Sequence, residues 1–125
     1  MKENNLIQDK SYQFAIKIVG LYRHLSEQKR EFVLSKQLLR SGTSIGANIE
    51  EGIGGQSDRD FFAKLNIAYK EARETHYWLR LLRDTNYLTN DEVKKHIEDC
   101  EEILRILGSI IKTMKIKLGI TISKS

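Results

Sequence analysis

From Val93 onward the chain repeats apolar residues at alternating spacings of four and three: Val93, Ile97, Cys100, Leu104, Leu107, Ile111, Met114 and Leu118. That is a heptad seam, which only a helix can present on one side, and a helix with such a seam needs a partner surface to cover it. No proline occurs anywhere in the 125 residues, so nothing obliges any of the helices to break. With 40% hydrophobic and 30% charged residues, the composition suits an all-helical protein whose long helices keep one face in water.

Three more helices precede the seam. The first is predicted over about Asn5 to Gln28, with Ile7, Phe14, Ile18, Leu21 and Leu25 as its stripe and Ala15, Val19 and Tyr22 widening it. The second runs from Glu31 to Glu51, where Gly52, Gly54 and Gly55 are read as supplying the positive backbone angles of a helix ending. Ser57 or Asp58 caps the third, whose stripe is Phe61, Leu65, Ala68, Ala72, Thr75, Leu79 and Leu82, ending near Asp84. Asn90 then caps the fourth. Four amphipathic helices of about 20 to 28 residues with short links favour an all-α, antiparallel up-down-up-down four-helix bundle, one domain over residues 1–125.

The second helix is unusual in its small residues. In RSGTSIGANIEEGIGG, from Arg40 to Gly55, Ser41, Ser44, Asn48 and Gly52 are spaced three, four and four apart. They form one side of the helix beside Leu34, Leu38, Ile45 and Ile49, a row suited to close packing. Asn48 falls at the edge of the core. Ser44, Asn48 and Glu51, with Glu71 and Glu74 of the third helix, are expected to form a polar cluster that fixes register or an oligomer interface rather than doing chemistry, because such groups need partners at a core margin.

Apolar residues also fall outside the stripes. Ile103, Ile106 and Ile110 lie off the fourth helix's seam, and Phe62, Ile67, Tyr69 and Trp78 flank the third. A large exposed apolar patch marks an association surface, so Phe62, Tyr69, Trp78, Ile103, Ile106 and Ile110 are the candidate interface of a homo-oligomer. The alternative is a core edge wide enough to reach them within one chain.

Catalytic and cofactor signals are weak. None of His24, His76 and His96 has an acid three residues before it, as a metal-binding bundle would use. Glu92 and His96 share a face but read as an exposed pair, and Cys100 reads as a small core filler. The glycines after the second helix lack the Lys and Ser or Thr of a phosphate loop. No enzyme activity, metal or cofactor is expected. The lone Cys100 and the polar start MKENNLIQDK point to a soluble protein of a reducing cytoplasm, and no stretch reaches the roughly 20 apolar residues of a membrane span.

Charge leans towards a polyanion. The formal net charge is +4 and the pI about 9.2. Asp91, Glu92, Glu98, Asp99, Glu101 and Glu102 crowd the start of the fourth helix, while Arg105, Lys112, Lys115, Lys117 and Lys124 occupy its end, an asymmetry that dipole matching explains in part. Lys10, Lys17 and Arg23 of the first helix and Arg59, Lys64, Arg73, Arg80 and Arg83 of the third add candidate phosphate contacts. Zinc-finger spacing and RNP-type strands are absent, so recognition of an RNA would read shape and charge.

Two blocks resemble a known family. Arg40-Ser41, Ser44-Ile45, Asn48-Ile49 and Glu51-Gly52, followed by Phe61-Phe62, Ile67-Ala68, Lys70-Glu71-Ala72, Glu74-Thr75 and Tyr77-Trp78-Leu79, are similar to the signature of the four-helix-bundle family named for the 23S rRNA intervening sequence. Where many members carry a proline in the second helix, this chain has Gly46-Ala47. The resemblance implies a bacterial homo-oligomer, a five-fold ring by preference. Members are encoded within inserts of ribosomal RNA genes or alone, and a similar accessory protein of diversity-generating retroelements works with a reverse transcriptase. It thus implies a partner that is RNA or a nucleic-acid-processing protein. A protein-binding scaffold without nucleic-acid affinity is the alternative.

Overall fold

A computed structural model describes residues 2–120, with side chains from Asn4 onward, so Lys124 lies outside the described residues. It contains four helices, α1 (Lys2–Glu27), α2 (Leu34–Ile53), α3 (Asp58–Asp84) and α4 (Asn90–Lys117). Among the described residues there is no strand. Each helix touches its two neighbours in chain order, α1 also closing onto α4, and the diagonal pairs do not meet. The direction of each helix follows from its cross-contacts. Lys10, Lys17 and His24 of α1 meet Glu102, Asp99 and Glu92 of α4, so one number rises as the other falls. The same reversal relates Ser41 and Glu51 of α2 to Thr75 and Lys64 of α3, and Asp58 and His76 of α3 to Lys117 and Glu101 of α4. Ser11 and Ile18 of α1 face Gly46 and Gly42 of α2 in the same sense. Every adjacent pair is antiparallel, which is the up-down-up-down bundle that the sequence pattern predicts.

The helix starts show which side chains do the capping. At α3 it is Ser57, whose hydroxyl accepts from the Asp60 N–H. At α4 it is Thr89, not Asn90: the Thr89 hydroxyl accepts from Glu92 N–H while the Glu92 carboxylate accepts from Thr89 N–H, a reciprocal capping box. Helix α2 begins three residues later than expected because the carboxylate of Glu31 occupies its free N–H groups, accepting from Ser35 at 2.7 Å and Val33 at 3.3 Å. Burial pushes the Glu31 carboxyl up, but the N–H groups of Ser35, Leu34 and Val33 outweigh it and hold the group below the usual carboxylate range. At the other end of α2, Gly54 has φ −80° and neither Gly52 nor Gly55 adopts a positive φ. The expected left-handed ending is therefore wrong. Left-handed backbone occurs instead at Arg30 and Asn86, in the links after α1 and α3, and at Gly119 after α4.

The core joins buried residues of all four helices. The stripes of α1 and α3 are buried as their periodicity predicts. On α4 the buried row is Val93, Cys100, Ile103, Leu107, Ile110, Ile111 and Met114, while Ile97, Leu104 and Leu118 are only partly covered. Ile103 and Ile110, expected on the outside as interface residues, are 1% and 3% exposed. Helix α4 packs against both α1 and α3, so its buried arc is wider than a two-stranded seam and includes the positions three beyond Cys100 and Leu107. Ile106, Phe62, Tyr69 and Trp78 are partly buried against the same core.

Helix α2 is held at close range on both sides. A Cβ added at Gly42 would lie 2.8 Å from Cγ2 of Ile18, and one at Gly46 would lie 3.4 Å from the Ser11 carbonyl oxygen. Towards α3, the Thr75 hydroxyl donates to Ser41 Oγ at 3.0 Å, both side chains being fully buried, and a Cβ at Gly52 would press 3.1 Å from the Phe61 ring. The helix runs unbroken through Gly46-Ala47.

These contacts make two glycines behave oppositely. Gly20 on α1 has nothing within 4 Å of a built Cβ. Gly20→Ala should stabilise by about 0.5–1 kcal/mol through helix propensity. Gly42→Ala should destabilise by a net of about 1–2 kcal/mol, overpacking against Ile18 exceeding the same gain. Urea unfolding of the two variants measures this; a Gly42→Ala protein as stable as the parent would show that the helices do not approach so closely.

Candidate nucleic-acid interface

The polar block of α2 does not close into one cluster. Ser44 donates to the Arg40 carbonyl oxygen at 2.6 Å, and Asn48 donates through Nδ2 to the Ser44 carbonyl oxygen at 2.8 Å. Both thus return to their own helix, where the carbonyl four residues back is an available acceptor. Glu51 accepts from Lys64 at 2.8 Å. Glu71 and Glu74 both pair with Arg40, Glu71 at 3.1 Å, and Glu74 also accepts from the Trp78 indole at 2.9 Å. The polar contact that crosses the core is Ser41 with Thr75. Its signal was present in the sequence, since Ser41 belongs to the small-residue row and Thr75 to the α3 core stripe.

The candidate phosphate contacts divide into engaged and free. Lys10 pairs with Glu102 at 2.7 Å and Lys17 with Asp99 at 2.8 Å. With His24 on Glu92 they form a ladder at intervals of one heptad along α1. Burial raises the Asp99 carboxyl, but Lys17 and Lys95 more than offset this and its pKa is lowered. The hydrogen bond from Lys10 likewise lowers Glu102. Lys64 is held by Glu51 and Lys117 by Asp58. Arg83 pairs with its neighbour Asp84. The acids at the start of α4 therefore do more than match its dipole: three of them, Glu92, Asp99 and Glu102, neutralise α1.

Arg73 and Arg80 are placed differently. Together with His76 on α3 and Glu101, Leu104 and Arg105 on α4 they line an open groove of about 580 Å³. Arg73 and Arg80 are two turns apart on one face, separated by about 10.5 Å along the axis. Among the described residues none of the three arginines has a carboxylate partner, and the groove's acid, Glu101, is paired with His76 at 3.1 Å. Lys112, exposed and two turns beyond Arg105, extends the same side of α4. Lys115 is partly buried further on, and Arg59 is exposed in the first turn of α3. Arg105 stood out in the sequence only as one of the basic residues of α4; its convergence with Arg73 depends on which flank of α4 meets α3.

Other chemistry-bearing groups are otherwise occupied. Glu92 bonds to His24 and to the α4 cap rather than pairing with His96. Burial pushes the partly covered His96 towards its neutral form, and its Nδ1 has no hydrogen-bond partner. Among the described residues no three His, Cys, Asp or Glu side chains are placed to hold a metal ion. Among the described residues no helix is long and apolar enough to cross a membrane. Cys100 is fully buried, its thiol directed at the Ala72 carbonyl oxygen at 3.3 Å. Burial, then Glu101 and Asp99, push the thiol up to about 12. At pH 8 a disulfide reagent should label native Cys100 at least about 100-fold more slowly than in denaturant. Prompt labelling of the folded protein would contradict this burial.

Residues 3–109 match the family model described as 23S rRNA-intervening sequence protein. A crystal structure of a protein of unknown function of the S23 ribosomal protein family, from Bacteroides thetaiotaomicron, has a TM-score of 0.86 and 54% identity, over 88% of this chain and 98% of that one. No curated protein matches the chain.

Proposed function

The chain belongs to the 23S rRNA-intervening sequence protein family, and from that premise we propose that it is a non-catalytic, self-associating cytoplasmic bundle that binds structured RNA along the groove between α3 and α4. The observation that carries the reading is the convergence of Arg73, Arg80 and Arg105 on one open groove without carboxylate partners among the described residues. Guanidinium groups are suited to phosphate oxygens, which they can grip in bidentate fashion. Lys10, Lys17, Lys64 and Lys117 drop out as principal contacts because nearby carboxylates already satisfy them.

Self-association uses the opposite side of the bundle. With Ile103 and Ile110 in the core, exposed apolar side chains remain on every helix, Ile67 of α3 and Ile116 of α4 among them, and on the side of α1 and α2 they adjoin an apolar groove. There Tyr12 is 61% exposed, Ile16 is 52% exposed, and Ala15, Gly46 and Ala47 line a shallow, mainly apolar groove. Copies joined by this side, five in the family's implied ring, leave α3 and α4 facing outwards and repeat the cationic groove in each subunit. Weak sites repeated in this way hold a long polyanion with high avidity.

Two measurements test these statements. In gel shifts with a structured RNA, Arg73→Glu, Arg80→Glu and Arg105→Glu combined should abolish binding at moderate salt. Single Arg→Ala changes should each lower the slope of log affinity against log salt by about 1. Lys10→Gln should have little effect. Affinity indifferent to the groove would favour the protein-binding scaffold instead. Light scattering should give a multiple of the chain mass for the parent and a smaller particle for Ile16→Glu; a monomeric parent would end the assembly proposal.

A further inference from the structure

Beside the arginine groove stands an aromatic side chain that the core does not use. Tyr77 is 49% exposed, three residues before Arg80 and four after Arg73, on the outer flank of α3. Its ring meets Trp78 edge-on, with centroids 5.1 Å apart and planes at 74°. Trp78 is itself fixed by its hydrogen bond to Glu74. Over the Tyr77 ring, 6.0 Å from its centroid, lies the guanidinium carbon of Arg80. The ring is thus positioned and carries a cation above it.

We propose that Tyr77 and Arg80 clasp an unpaired nucleobase, so that the groove takes a single-stranded segment of RNA rather than its double-helical part. This rests on the RNA-binding reading above and specifies its ligand. Stacking contacts are about 3.5 Å each, so a base between a ring and a guanidinium needs about 7 Å, against the 6.0 Å that separates the guanidinium carbon from the ring centroid. Arg80 is exposed and its Nε makes only a long hydrogen bond, 3.3 Å to the His76 carbonyl oxygen, so the side chain can swing outwards to admit the base. A phosphate next to the held base then reaches Arg73 or Arg105 across the groove. Paired bases in an A-form helix keep their faces stacked on one another and cannot enter such a clasp, whereas bases in loops and tails can. Every base has a π face, so the site discriminates strandedness rather than sequence.

Fluorescence anisotropy with labelled oligouridylate, and with the same strand paired to oligoadenylate, decides the matter on the full-length protein. The single strand should bind at least about ten-fold more tightly than the duplex. Tyr77→Ala should weaken single-strand binding by about ten-fold, the effect of one lost base stack, while duplex binding stays unchanged and so reports an intact fold. Tyr77→Phe should retain the parent affinity. Equal affinity for both forms, or a Tyr77→Ala protein that binds oligouridylate like the parent, overturns the clasp; if affinity still depends on Arg73 and Arg105, RNA binding survives it. Loss of neither form on groove charge reversal, or no binding by the parent, removes the broader reading as well.

Discussion

Helix α2 lies so close to both of its neighbours that a Cβ at Gly42 would press on α1 and one at Gly52 on α3. Gly42 and Gly46 admit Ile18 and the Ser11 backbone of α1 on one flank, and Ser41 and Gly52 admit Thr75 and Phe61 of α3 on the other. Interiors are packed to crystal-like density, so a helix brought this close fixes the register of the helices beside it. The buried hydroxyl pair adds to this, since a polar atom in the core is tolerated only where its partner is in place. Changing the register of α2 by one residue would press a side chain against Ile18 of α1 where Gly42 now stands, and leave Thr75 without Ser41.

That register determines where the charges fall. With α1 and α4 antiparallel, Lys10, Lys17 and His24 line up with Glu102, Asp99 and Glu92, and the two faces satisfy each other. Exposed pairs of this kind are worth little individually, about 0–1 kcal/mol, so they serve alignment more than stability. Their consequence is asymmetry. The acids of α4 that face α1 are occupied there, while its α3 side is left with Glu101 against Arg73, Arg80 and Arg105. One bundle thus carries an apolar groove beside Tyr12 on α1 and α2 and a cationic groove on α3 and α4, on opposite sides.

Some features were legible in single residues and some were not. The stripes of α1 and α3 could be read directly, because their buried positions keep to one helical face and the apolar residues beside them, such as Val19 and Tyr69, fall on its flanks. On α4 the adjacent pairs Ile103-Leu104 and Ile110-Ile111 offered two registers, and periodicity could not rank them; burial by α1 as well as α3 brought Ile103 and Ile110 inside. The lysines proposed as phosphate contacts lie at the surface, Lys10, Lys64 and Lys115 only partly exposed, and Lys10 and Lys17 have partners about ninety and eighty residues away that no local pattern displays. Asn48 and Ser44 were read as cross-helix groups because of their row, whereas the nearest acceptors were the carbonyls of their own helix.

Local physics acts through near neighbours in the chain, and from it the sequence determined the helical class, the number of helices, their links and the small-residue row that lets α2 pack closely. Caps depended on a finer balance: Ser57 was among the predicted alternatives, while Thr89 and Glu31 took their places through side chains reaching three and four residues along. Only the tertiary structure decided which flank of each helix meets which neighbour. That choice is made by the packing of all four helices at once, and it alone moved two isoleucines into the core, neutralised the α1 lysines and gathered three arginines beside Tyr77.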